Sequence, residues 1–183
     1  MFPAEPLAAI GMESFDVFVF SRTASRREGA VAVAALPRLA ASVVRPEGAV
    51  AYECEGGVDS QGRPTLRLHL HGTLALRCDR CAEELAWQLD CERVFFFVRS
   101  EADLAEIPVD DAPEEPLVGS THFDLAALIE DEAILQLPIS PRHRGCAAPS
   151  TGEPVAAGDD EGGAQRPHPF AELARLRKNG GVR

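Results

Sequence analysis

Basic residues are scarce in this 183-residue chain: 18 Lys and Arg stand against 29 Asp and Glu, a formal net charge of −11. That imbalance excludes a broad basic face gripping nucleic acid, because such binding relies on many cations displacing counterions from phosphates. It is compatible with basic partners, and equally with nothing beyond solubility. Aromatics are sparse too, at 6%, and they cluster in "RVFFFV" at 93–98. The opening "MFPAEPLAAIGMESFDVF" has no basic n-region and no long apolar stretch, so it is not expected to be a signal peptide. No apolar run approaches the roughly 20 residues that span a bilayer, so no membrane association is expected. These absences together imply a cytoplasmic protein with reduced thiols. A disulfide framework is then the wrong default for the five cysteines, Cys54, Cys78, Cys81, Cys91 and Cys146. Metal ligands, buried thiols or a redox site remain. The Walker loop, G-x-S-x-G and H-E-x-x-H are all absent.

What is present is a sheet-forming pattern. Residues 1–13 read as an irregular lead, and 14–144 as a single α+β domain. "SFDVFVFSR" (14–22) alternates and predicts a short strand, with Phe15, Val17 and Val19 on one side. "SRTASRREGA" (21–30) reads as a polar break, and "VAVAALPRLAASVV" as strand-like until Pro37 and helical after it. A β-hairpin follows, with a strand at 49–58, the loop "DSQGRP", and a second strand whose Leu66, Leu68, Leu70, Leu74, Leu76 and Cys78 share one face. Arg67, His69, His71, Thr73 and Arg77 share the other, wet face. A third strand starts near Glu84, with Leu85, Trp87, Leu89 and Cys91 facing inward, and blurs into "VFFFV", which predicts burial on both faces or a bulge. Residues 101–116 are acidic and proline-containing and read as a solvated loop. The clearest helix spans about 123–137, capped by Asp124, with Leu125, Leu128, Ile129, Ile134 and Leu135 as its apolar stripe. Residues 145–167 read as a flexible linker, and 168–183 as a basic amphipathic tail with a short helix. The fold class is therefore an antiparallel sheet, open or curled toward a small, partly open barrel, with one long helix and a short terminal one.

The chemistry-bearing residues are few. Cys78 and Cys81 form a C-x-x-C at the corner between two strands, a spacing that lets both thiolates reach one ion in a tight turn. His143 and Cys146 offer a second pair just beyond the long helix. Together the four would make a Cys3His set for structural Zn2+, provided the fold unites them. Otherwise His143 is a surface histidine and Cys146 a thiol in a tether. A thioredoxin-type reading needs a helix after the C-x-x-C, where here a strand follows. Cys54 and Cys91 read as small core residues, as does Trp87. Glu130, Asp131 and Glu132 are consecutive on a helix and read as a solvated face. His69 and His71 read as wet-face polar positions. Against the acidic background stand two basic groups, Arg22, Arg26 and Arg27, and Arg175, Arg177 and Lys178, which are candidate contacts for RNA or a partner, or else ordinary surface charge.

Three stretches in order, "LRCDRCAEEL", "FDLAALIEDEAILQLPISPRH" and "HPFAELARLRK", resemble the YceD family, named for large ribosomal RNA subunit accumulation. The resemblance spans roughly residues 14–178. It implies a non-enzymatic bacterial protein tied to 23S ribosomal RNA accumulation or processing and to large-subunit assembly. Its relatives tend to be encoded beside a small basic ribosomal protein, which implies that protein as a partner. The family's C-x-R-C pattern falls on Cys78, Arg80 and Cys81, and its L-P-x-x-P-x-H pattern on Leu137, Pro138, Pro141 and His143. Where relatives carry Leu after the second cysteine this chain has Ala82, a difference expected to affect packing only. Some relatives carry further cysteines near the C-terminal end, where here only Cys146 stands.

Two classes of function follow. One is an assembly factor acting by binding: acids such as Asp110, Asp111, Glu114 and Glu115 would hold a basic ribosomal protein, and the tail would touch an RNA precursor. The other is an enzyme, a thiol oxidoreductase at the C-x-x-C corner or a nuclease with carboxylates around magnesium. A scaffold without RNA contact is a third reading.

Overall fold

The computed structural model describes residues 14–107 and 114–146. The N-terminal lead, Asp110 and Asp111, most of the linker and the whole basic tail with Arg175, Arg177 and Lys178 lie outside the described residues. The described elements are α1 (Val17–Arg22), β1 (Arg26–Ala32), a 3-10 turn (Val33–Ala35), α2 (Pro37–Ser42), β2 (Ala49–Val58), β3 (Pro64–Arg77), β4 (Glu84–Val98), α3 (Glu101–Ala105), β5 (Glu115–Val118) and α4 (Leu125–Leu135).

Strand β3 organises the sheet. Successive side chains of a strand point to opposite faces, and its even-numbered leucines at 66, 68, 70, 74 and 76 are all buried. Full burial of one such side chain is worth about 1.5–3 kcal/mol. β3 pairs antiparallel with β2 on one side and with β4 on the other, and β1 extends the meander beyond β2. The wet face carries cross-strand ion pairs, Arg67 to Glu92 and Arg26 to Glu53. The inner face is roofed by Val17 and Phe20 of α1, Leu39 of α2, and Leu125, Leu128, Ile129 and Ala133 of α4. A β-carbon at Gly56 would lie 2.5 Å from the Phe20 carbonyl oxygen, so α1 reaches its place on β2 only because position 56 has no side chain.

Several expectations are corrected. Residues 17–22 form a helix, not a strand: the Asp16 carboxylate accepts the N–H groups of Phe18 and Val19 at 2.9 and 3.0 Å, and Val17 and Phe20, three apart, face inward. The polar break at 21–30 contains the start of β1, whose outward residues are free to be charged because it is an edge. The sheet is mixed, because β5 runs parallel to β4, and its linear order β1-β2-β3-β4-β5 is open, with no barrel closure. The acidic stretch 101–116 is not wholly loop: Ser100 caps α3, and β5 begins at Glu115. Of the two alternatives expected for "VFFFV", burial on both faces is the one found, with Phe95 and Phe97 in the core and Phe96 under the Arg63 guanidinium, 3.7 Å from its ring centre. Helix α4 is shorter than 123–137, and Leu135 on its predicted apolar stripe is 68% exposed. Trp87 is only partly buried against the core.

The largest correction concerns Glu130 and Glu132, which are buried rather than solvated. Helix α2 starts with Pro37, and its N-cap residue Leu36 has no capping side chain. Glu130 supplies the cap from 92 residues away, accepting the Arg38 N–H at 2.7 Å and the Arg38 Nε–H at 2.9 Å. It also accepts the Leu39 N–H at 3.2 Å. Desolvation works against its charge, but the Leu39 N–H and the Arg38 side chain and N–H outweigh it and hold the carboxyl below its ordinary range. Glu132 has no such partners. Burial, then the nearby Glu115 charge, push its carboxyl up, with Arg93 at 3.6 Å opposing.

The two glutamates therefore titrate with opposite signs. A lowered folded-state value makes Glu130 stabilising above the unfolded carboxyl range, a contribution lost as pH falls through the folded value. A raised value makes charged Glu132 unfavourable once pH rises through it. Glu130→Gln should lower stability by about 1–3 kcal/mol at pH 7, shrinking toward zero in acid. Glu132→Gln should raise it at pH 7. Urea midpoints of both variants at neutral and acid pH, at unchanged slope, check the pair.

Candidate metal centre

The corner between β3 and β4 is built by strand parity and a tight turn. Cys78 follows Leu76 on the inward side of β3 and is 1% exposed. The Cys78 N–H donates to the Glu83 carbonyl and the Ala82 N–H donates back to the Cys78 carbonyl, both at 2.9 Å, closing the loop. Beyond α4, the chain bends at Pro138 and returns. The Asp79 N–H donates to the Pro141 carbonyl at 2.9 Å, and the Arg80 guanidinium to the Cys146 carbonyl at 2.7 Å. The His143 Nε2 donates to the Glu84 carbonyl at 3.0 Å.

These bonds bring Cys78, Cys81, His143 and Cys146 together, their four ligand atoms all within 4.8 Å of one another. The sulfurs of Cys78 and Cys146 are 3.8 Å apart, and the Cys81 sulfur is 3.4 Å from His143 Nδ1. A tetrahedron with zinc–sulfur bonds of about 2.3 Å and a zinc–nitrogen bond of about 2.0 Å has edges of about 3.8 and 3.5 Å. The donor set and its spacing therefore fit a zinc ion. The surroundings fit as well: donation of Nε2–H to a backbone carbonyl leaves the Nδ1 lone pair facing the sulfurs, the tautomer that a ligand needs. The Arg80 N–H points to the Cys78 sulfur at 3.4 Å.

The electrostatics of the four groups are uneven. The Cys78 thiol is lowered to about 5, first by the Cys81 backbone N–H and then, against desolvation, by those of Arg80 and His143. His143 is raised, chiefly by the Cys78 sulfur. Cys146 is pushed up to about 11 by desolvation and by its neighbouring thiols. One thiolate is welcome and another is resisted, a conflict that a divalent cation removes. Cys54 and Cys91 lie elsewhere in or against the core and are both raised by burial, Cys54 to about 11. His69 and His71 are on the wet face, with His69 bonded to Asp90 at 2.9 Å.

Among the candidate contact residues, Arg22 is exposed at the end of α1, while Arg26 and Arg27 are adjacent on β1 and point to opposite faces. Arg26 is held by Glu53 at 2.6 Å and Arg27 lies over the Phe15 ring at 4.7 Å. Of the acids assigned to a partner, Glu114 pairs with Arg63 and Glu115 with Arg93. The sequence reading missed the backbone carbonyls of Glu84, Pro141 and Cys146 that clasp the two segments. Carbonyls leave no mark in side-chain chemistry, and only the prolines and histidine of L-P-x-x-P-x-H hinted at them.

Ala82 is exposed, and its φ of 61° puts it in the left-handed region. The issue at this position is backbone strain, costing about 1–2 kcal/mol for a residue with a β-carbon. Ala82→Gly should raise the urea midpoint by the equivalent of about 0.5–1 kcal/mol after glycine's own entropy loss, with unchanged metal content. A lower midpoint would contradict this account.

Comparison with known proteins gives a consistent picture. The family model for large ribosomal RNA subunit accumulation protein YceD matches residues 66–177, more than half of the chain. A protein of Haemophilus influenzae called large ribosomal RNA subunit accumulation protein YceD is 34% identical over 149 residues, covering 78% of this chain and 82% of that one. No solved structure matches. The matched span includes both the C-x-x-C corner and the segment that folds onto it, and on these grounds the chain belongs to the YceD family.

Proposed function

We propose that the chain is a non-enzymatic, cytoplasmic ribosome-biogenesis factor. It supports 23S ribosomal RNA accumulation and large-subunit assembly by binding an RNA precursor or a basic ribosomal protein. Its Cys78, Cys81, His143 and Cys146 hold a structural zinc ion. The observation that carries this reading is the convergence of the two segments with the family resemblance, which meet around a set of metal donors and not around a cleft. A zinc ion bound there supplies a closed cross-link with no open position for substrate. The protein's own part is positional: Glu84 orients His143, the corner N–H groups favour the Cys78 thiolate, and Arg80 fixes the backbone of Cys146.

Support for binding over catalysis comes from the acids and the thiols. Among the described residues, no other group of histidines, cysteines and carboxylates converges. Glu130 is held by Arg38, and Glu132 is buried with its carboxyl raised, which disfavours the charged form that magnesium would need. The lowered Cys78 thiol suits redox chemistry as well as metal binding, but its buried sulfur gives a disulfide substrate no approach.

Two measurements test the reading. Native mass spectrometry should find one zinc per wild-type chain and none in Cys81→Ser; equal zinc in both removes the metal site. In cell extracts the protein should sediment with large-subunit precursors at low salt and leave them at high salt. Magnesium-dependent cleavage of a precursor RNA by the purified protein would replace binding with catalysis.

A further inference from the structure

Every basic side chain among the described residues is arginine, the residue whose planar fork best matches a phosphate. Most of these arginines are already neutralised. Arg26, Arg38, Arg45, Arg63, Arg67 and Arg93 each sit in an ion pair with a carboxylate. Arg27 and Arg99 lie over phenyl rings. Arg22 stands alone at the end of α1. The remaining four, Arg77, Arg80, Arg142 and Arg144, all lie on the two segments clasped at the metal centre, are exposed, and have no carboxylate partner among the described residues.

The clasp brings the two arginine-bearing segments together. The Asp79 N–H bonds the Pro141 carbonyl, so the residues just before Arg80 and Arg142 are in contact, and the Arg80 guanidinium reaches the Cys146 carbonyl, two residues beyond Arg144. Arg77 ends β3 one residue before Cys78. Asp79 and Glu83 share the corner without pairing to any of the four, and Glu84 is taken by Arg45. On a molecule of net charge −11, attraction to a polyanion has to be local, because charges farther than about 8–10 Å are screened at physiological salt. A basic protein would be repelled by such a patch, whereas a phosphate backbone is attracted.

We infer that the outer surface of the Cys3His corner, through Arg77, Arg142 and Arg144 with Arg80 holding the backbone, is the surface that contacts the phosphates of ribosomal RNA. This deepens the proposed function by naming the surface and the partner chemistry, and it rests on that reading. It also gives the clasp a purpose: separated, the two segments would present two arginines each on unconnected loops.

The test uses the full-length protein and an in vitro transcript of bacterial 23S ribosomal RNA. Filter binding is measured from about 50 to about 300 mM KCl, the range in which counterion release is read. The triple variant Arg77→Gln, Arg142→Gln, Arg144→Gln spares Arg80, and its melting profile and zinc content check that the corner stays intact. It should bind at least about tenfold more weakly at low salt, and the slope of log affinity against log salt should shrink by about 2–3, from three lost phosphate contacts at about 0.7–0.9 each. The variant Arg175→Gln, Arg177→Gln, Lys178→Gln should keep the wild-type slope. A folded corner variant with wild-type affinity and slope overturns the inference, as does a wild-type protein that ignores the transcript. Sedimentation separates the two levels. If both wild type and corner variant travel with large-subunit precursors, the surface assignment alone fails. If the wild type does not travel with them, the functional reading fails.

Discussion

Strand parity along β3 is the constraint on which the rest depends. The leucines at 66, 68, 70, 74 and 76 are all buried on one face, with Gly72 between them, so the strand cannot slip by one residue without moving the whole set into water. The same parity carries past the end of the strand and delivers Cys78 to the inside and Arg77 to the outside. The cysteine corner and the exposed Arg77 are thus two sides of one strand end. A shift in register would exchange them.

The second half of the centre comes from a different mechanism. His143 and Cys146 follow a helix, and no periodicity reaches across to the strand corner. What joins them is backbone hydrogen bonding, Asp79 to Pro141 and His143 to the Glu84 carbonyl. Four side chains from two distant segments are therefore brought together by the backbone bonds between those segments.

The long alternating strands were legible in the sequence because burial of one face leaves a period of two, and Leu66 to Cys78 shows it with a single gap at Gly72. That Cys78, Cys81, His143 and Cys146 belong together was legible from chemistry and spacing. Residues 14–22 were misread because a six-residue helix shows too few turns to separate its period from alternation, and Phe15, Val17 and Val19 fit a strand. Burial of Glu130 and Glu132 was illegible for another reason: their partners are the N–H groups of α2 and the side chains of Arg38 and Arg93, and a charged residue normally signals solvent. The parallel pairing of β5 escaped notice because a strand of four residues within an acidic stretch carries no pattern of its own.

The cap that Glu130 provides to α2 has a consequence for how the chain is made. Synthesis proceeds from the N-terminus, and domains begin to organise as they emerge. The hairpins β2-β3 and β3-β4 can assemble first, since each closes a short loop, whereas β1 reaches β2 only across the 3-10 turn and α2. The start of α2 must wait, with two bare amides, until a carboxylate 92 residues downstream has been added, and the thiols at 78 and 81 wait longer still for residue 146. A nascent chain stalled before α4 would hold the sheet without the part of its roof that α4 supplies, and with the start of α2 uncapped.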